Sequence, residues 1–224
     1  MVNIRRFVYM VKLKRYMVFL LGLIINSLGV ALITKANLGT SPISSVPYVL
    51  SLNFKYTIGV YTIFLSIVLI LGQIIILRKN FRLENLLQVP ISVLFGYFID
   101  LAMILFGFVA PEKYIVKVIV LVVGCVVLGF GVYLEVLANV AMLPGESFVR
   151  AVVDTWHTEF GITKICFDAA LALSAAALSL IFAHKLDGVR EGTIIAAFLV
   201  GFIARQTGKL LQGLDGKLFM ESKA

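Results

Sequence analysis

Seven ionisable side chains stand inside or beside long apolar runs of this 224-residue chain: Asp100, Glu135, Arg150, Asp154, Lys164, Asp168 and Arg205. A charge in hydrocarbon costs at least about 2.5–3.5 kcal/mol on insertion scales, so each needs a partner, water or a task. Lys164 and Asp168 are four apart and can pair on one helix face. Glu146, Arg150 and Asp154 repeat that spacing and form one charged stripe. The stripe is either a local ladder or a frame that holds Arg150 as a fixed positive charge in a site. Glu135 lies near the end of its apolar run, within reach of interfacial water. Asp100 has apolar sequence on both sides. GYFID at 96–100 aligns with GFIAR at 201–205, so Asp100 falls on Arg205. These two are expected to pair across a helix interface; the rival expectation is that Arg205 snorkels to the surface.

Small polar residues gather at two further places. The stretch 29–45 reads GVALITKANLGTSPISS, and 131–147 reads GVYLEVLANVAMLPGES. Asn37 and Asn139, Pro42 and Pro144, Ser45 and Ser147 each stand 102 positions apart. The same register pairs Gly22 with Gly124, Ala36 with Ala138, Gly59 with Gly161 and Ile63 with Ile165. Matched Gly, Asn, Pro and Ser point to an internal duplication. In both copies an apolar helix stops at Ala-Asn and restarts at Pro, with Ser41 as N-cap and Pro42 at the first turn in the first copy. A helix start leaves N–H groups free and carries partial positive charge, so it can hold an anion or carboxylate. The candidate substrate-binding set is Asn37, Thr40, Ser41, Ser44 and Ser45 at the first break, and Asn139, Glu146, Ser147 and Arg150 at the second. Asp100, Asp154, Lys164, Asp168 and Arg205 are coupling or structural charges. The plain alternative is that the polar residues cap a kink. Two breaks at matched places favour a transporter-like site where the breaks meet near mid-membrane.

The elements that must position these groups follow from composition. Hydrophobic residues make up 61% of the chain and charged ones 14%, with a mean hydropathy of +1.03. Soluble domains are roughly 45–50% apolar and about 25% charged. The chain is therefore an all-α polytopic membrane protein, because only helices satisfy the backbone across these continuous apolar runs. Residues 1–15 form a basic interfacial amphipathic segment on the cytoplasmic face. Repeat 1 covers 16–110, with spans at 16–35, 58–77 and 86–109 and a half-helix at 42–54. Repeat 2 covers 111–212, with spans at 114–137, 162–183 and 193–211 and a half-helix at 144–160. Residues 213–224 are a polar tail. Three crossings per repeat make the halves inverted. With the N-terminus inside, every Lys and Arg except Lys35, Lys55, Lys113, Lys117, Lys185 and Arg190 is then cytoplasmic, as the positive-inside rule asks. If both half-helices cross, eight spans and parallel halves result. The charges of 144–160 argue against that.

The net charge of +8 reads as positive-inside bias, and nucleic acid is not an expected partner. Cys125 and Cys166 sit in apolar spans and read as small core residues, not as a disulfide or metal site. The basic N-terminus leads into a long span with no small-residue cleavage site, so the first helix is retained. The two histidines, His157 and His184, lie near interfaces, and no HExxH, CxxC or GxSxG pattern occurs. No enzyme activity, cofactor or metal is expected.

The runs KANLGTSPISSVP, PGESFVRAV, GITK at 161–164 and REGT at 190–193 resemble the YczE/YitT-like family of bacterial integral membrane proteins. The YczE-like branch is the nearer, because YitT-like members usually add a soluble C-terminal domain and this chain stops at Ala224. The resemblance implies a bacterial inner-membrane location and assigns neither substrate nor catalytic residues. The functional expectation is a multi-pass small-solute permease or secondary transporter of the plasma membrane, N-terminus cytoplasmic, with an anionic solute as the first class to consider. The alternative is a non-transporting accessory or regulatory membrane protein. Its partners are the lipid bilayer and a small solute, with a second copy or a membrane partner protein as a further class.

Overall fold

The computed structural model describes the backbone of residues 2–211 and the side chains of residues 11–211. The tail at 213–224 lies outside the described residues. Among the described residues all regular structure is helical: α1 (Val2–Lys35), α2 (Pro42–Asn53), α3 (Ile58–Leu77), α4 (Gln88–Leu105), α5 (Tyr114–Ala138), α6 (Pro144–Trp156), α7 (Phe160–Ala183) and α8 (Glu191–Leu210). Short 3-10 turns, Arg78–Asn80 and Leu83–Leu87, connect α3 to α4. Six stretches are long and apolar enough to cross a bilayer, one each in α1, α3, α4, α5, α7 and α8.

The first helix runs through 2–15 of the basic segment without interruption, because no proline occurs before Lys35; its apolar span begins at Val11. Residues 2–15 thus extend α1 and are not a separate element. The third span stops at Leu105, short of 109, where Phe106 leaves helical geometry ahead of Gly107 and Pro111. α2 and α6 have 12 and 13 residues, about 18 and 20 Å at 1.5 Å per residue. Neither covers a hydrocarbon core of about 30 Å.

Both interruptions have the same local cause. Asn37 and Asn139 adopt left-handed backbone, with φ of 55° and 47°, a conformation that Asn tolerates and branched residues resist. The chain turns out of the helix there and re-enters at a proline, whose missing N–H costs nothing in a first turn. Ser41 is the N-cap residue by backbone, but its side chain makes no cap bond. Its hydroxyl donates to Ser44 Oγ instead, at 3.0 Å.

The core is the crossing of α1 and α5. Gly22 lies against Glu135, Asn26 against Gly131, Gly29 against Leu128, and Ile33 against Gly124. Rising numbers on α1 meet falling numbers on α5, so the two helices are antiparallel. A methyl on Gly29 would lie 2.5 Å from the Leu128 backbone nitrogen, so only glycine permits this approach. Leu23, Val30, Ile33, Leu121, Cys125 and Leu128 are buried around it. α4 packs on α1, α8 on α5, α2 along α7, and α6 along α3. α3 also packs against α4, whereas α7 and α8 make no comparable contact. Cys125 is buried as expected; Cys166 is exposed, because α7 turns Ile162, Ile165, Leu173 and Ile181 outward with it. Those outward apolar faces are the surface the bilayer covers.

Candidate functional site

The two short helices begin beside each other inside the bundle. Ile43 packs directly onto Gly145. Ser45 Oγ donates to the Pro42 carbonyl and, at 3.4 Å, to the Leu171 carbonyl, which lies about halfway along α7. α2 then runs parallel to α7 until Phe54 meets Phe182 edge-on, with 4.9 Å between centroids. At the start of α6, Gln73 and Gln88 bond reciprocally, at 3.0 and 3.1 Å. Gln73 also donates to the Pro144 carbonyl at 3.3 Å, and Gln88 to Ser147 Oγ at 3.0 Å. Two amides inside apolar helices cannot stay unpaired. Their mutual pairing fixes α3, α4 and the α6 start as one unit.

A cleft of about 1260 Å³ opens beside that unit. Gln73, Gln88, Glu135, Glu146, Ser147 and Arg150 line it, with Arg82, Glu84 and Asp154 toward its mouth. Glu135 is 5% exposed, and its Oε1 accepts from Asn26 Nδ2 at 2.8 Å across the α1–α5 seam. Asn139, which ends α5, lines the same cleft with Val140 and Met142. The Glu146 carboxylate lies within electrostatic reach of Glu135 and of Lys164 and Asp168 on α7.

The first break is closed. The Gly192 amide donates to the Leu38 carbonyl at 2.8 Å, and the Thr40 amide donates to Thr193 Oγ1 at 3.2 Å. Arg190 Nη1 reaches the Asn37 carbonyl at 3.4 Å, and Thr34 and Thr40 hydroxyls lie 3.0 Å apart. The start of α8 is thereby strapped across the first break, whereas the second break faces the open cleft.

Of the residues picked from the sequence, Asn139, Glu146, Ser147, Arg150 and Asp154 line the cleft together. Thr40, Ser41, Ser44 and Ser45 are buried and line neither this cleft nor a shallower depression on the far face, where Asn37 and Asp100 are found. Lys164 and Asp168 form their local ion pair. The ladder along α6 does not form: among the described residues no ion pair joins Glu146, Arg150 and Asp154, and Arg150 Nη1 contacts only Met142 Sδ, at 3.5 Å. The Asp100–Arg205 pair does not form either. Asp100 accepts from Thr57 Oγ1 at 2.6 Å and from the Gly59 amide at 2.9 Å, holding the start of α3. Arg205 is exposed near the other end of the molecule, about one turn from the contact of Gly208 with Tyr133.

The sequence-based site set lacks Asn26, Gln73 and Gln88, and it leaves Glu135 outside as an interfacial charge. The signal for the first three is an amide within an apolar span, which needs a partner as a charge does. That for Glu135 is Asn26, a polar group in an apolar span that bonds it across the seam.

Six apolar spans, two short helices that start inside the bundle and a polar cleft at one of those starts define a polytopic helical membrane protein. The chain belongs to a family of unknown function (DUF6198), whose profile matches residues 13–209. It is similar to the uncharacterized membrane protein YczE of Bacillus subtilis, 28% identical over 196 residues that cover 85% of this chain and 84% of the relative. It is also similar to the uncharacterized protein YyaS of the same organism, 28% identical over 191 residues that cover 84% and 90%. No solved structure matches.

Proposed function

We propose that the protein is a small-solute permease of the bacterial inner membrane, built from two inverted copies of one four-helix unit. The carrying observation is the pair of short helices whose starts touch at Ile43 and Gly145, with a polar cleft open at one break and the other break strapped shut. Antiparallel α1 and α5, the shared left-handed Asn37 and Asn139, and the exchanged packing of α2 on α7 and α6 on α3 support the duplication. Broken helices in matched places at a repeat interface are how many carriers build a substrate site. The side of the cleft carries Arg15, Arg78, Lys79 and Arg82, which favours a cytoplasmic N-terminus and a cleft open to the cytoplasm.

The competing reading is an accessory membrane protein with no translocation. A polar cleft lined by a buried carboxylate favours the permease, since a purely structural bundle gains nothing from keeping that carboxylate. The test is counterflow in proteoliposomes preloaded with pools of amino acids, organic acids, inorganic anions and sugars. Accumulation of one class above empty liposomes supports the reading. Absence of counterflow for all pools, with protein of native melting behaviour, overturns it in favour of the accessory role.

A further inference from the structure

We infer that the cleft takes a small zwitterion, a solute with one ammonium and one carboxylate, with Glu135 facing the ammonium and Arg150 the carboxylate. This deepens the permease reading and rests on it for the solute's entry and exit. The cleft holds opposite charges that do not satisfy each other. Glu135 is 95% buried, and Asn26 occupies its Oε1. That bond fixes one oxygen of the carboxylate, and the Glu135 side chain lines the cleft. Arg150 is exposed and lines the same cleft, and among the described residues its hydrogen-bond partner is a thioether sulfur, which is a weak acceptor. Its planar fork, suited to two parallel bonds to a carboxylate, is otherwise uncommitted.

The other charges around the cleft do not change this pairing. The Glu146 carboxylate is within electrostatic reach of the Lys164–Asp168 pair of α7 as well as of Glu135. Asp154, Arg82 and Glu84 are exposed at the mouth, where water screens them. A simple anion entering the cleft would meet two carboxylates, Glu135 and Glu146. A simple cation would satisfy them but leave the exposed guanidinium to water, without a charged acceptor. A zwitterion meets both demands, and the Ser147 hydroxyl, which accepts from Gln88, retains its own proton to donate. At about 1260 Å³ the space exceeds the usual range for one small ligand, about 300–1,000 Å³, so the solute is bound together with water. This replaces the anion expected from the helix start alone.

The test uses the full chain in nanodiscs and isothermal calorimetry against α-amino acids, each with its decarboxylated amine and its deaminated acid. The expected result is at least a tenfold affinity preference for a zwitterion over both truncated forms. Glu135→Gln should weaken the zwitterion and the amine at least tenfold. Arg150→Gln should weaken the zwitterion and the acid, and reduce its preference over the amine. Arg150 is exposed, so its variant carries the test if Glu135→Gln fails to fold. Equal affinity for a zwitterion and one of its truncated forms, or an unchanged zwitterion affinity in folded Arg150→Gln, overturns the proposal. Zwitterion binding without counterflow sinks the permease and leaves this site standing. Counterflow of a sugar or inorganic anion without zwitterion binding does the reverse.

Discussion

Removing the Asp100 carboxylate tests the architecture most directly. Its two oxygens accept from Thr57 Oγ1 and the Gly59 amide at 2.6 and 2.9 Å, so a side chain of α4 caps the start of α3. Losing a capping side chain costs about 0.5–2 kcal/mol, and losing a negative charge at a helix start adds about 0.3–1 kcal/mol. Asp100→Ala should therefore destabilise by about 1–3 kcal/mol. Asp100→Asn keeps an acceptor and should lose about 0.3–1 kcal/mol, mostly the charge contribution. At about 2–4 °C per kcal/mol for a chain of this size, the melting point should fall by about 2–12 °C for Ala and about 1–4 °C for Asn. Arg205→Gln alters an exposed side chain and should stay within about 0.5 kcal/mol. The assay is a melt followed by a thiol-reactive dye. Cys125 is buried and reports unfolding, once the exposed Cys166 is changed to Ser. A buried Asp100–Arg205 pair would instead cost about 3–5 kcal/mol on loss of either partner. Arg205→Gln melting as low as Asp100→Ala, or a charge-swapped double variant recovering stability, would refute the capping argument.

Other substitutions probe the remaining elements. Gly29→Val forces a branched side chain onto the Leu128 backbone and should cost at least about 1–3 kcal/mol, read as a lower melt or loss of folded protein in size-exclusion chromatography. Asn37→Val and Asn139→Val place a branched residue at positive φ and should each cost about 1–2 kcal/mol, while the Gly variants stay near wild type in the same melt. Thr193→Val removes the acceptor of the Thr40 amide, worth about 0.5–1.5 kcal/mol, and should raise the labelling rate of a cysteine placed at Leu38. Cysteines replacing Lys55 and Lys117, which line one depression, should label from the side opposite to cysteines at Arg82 and Asp154; a shared side would contradict the six-span arrangement.

The two breaks were legible because their causes are local. Asn before the turn and Pro after it determine backbone angles without help from the rest of the chain. Asp100 and Arg205 do not pair, and the rival expectation of a surface Arg205 agrees with its exposure. The reason is geometric: α1 and α5 cross antiparallel, so matched positions meet only close to that crossing. Asp100 and Arg205 lie near helix ends and so are carried to opposite faces. The burial of Glu135 is not legible, because the sequence shows its distance from the end of α5 but not the neighbour on α1 that covers it. The Gln73–Gln88 pair depends on the tight turns at 78–87, whose return angle no periodicity encodes.

The meeting of α2 and α6 has an electrostatic consequence. α1 and α5 run antiparallel, so their macrodipoles largely cancel. α2 and α6 instead point their starts toward one another, and each start is equivalent to roughly half a positive elementary charge. Where these fields overlap, the interior has a standing positive potential of about one charge before any side chain is counted. Glu135 and Glu146 stand on the wall of the cleft at the α6 start. They oppose that potential, while Arg150 on the same wall adds to it. The sign of the site is thus not a property of the backbone, which by itself would draw anions. The side chains on the wall balance it, and a chain with the same helices but amides in place of the two carboxylates would draw anions with no change of fold.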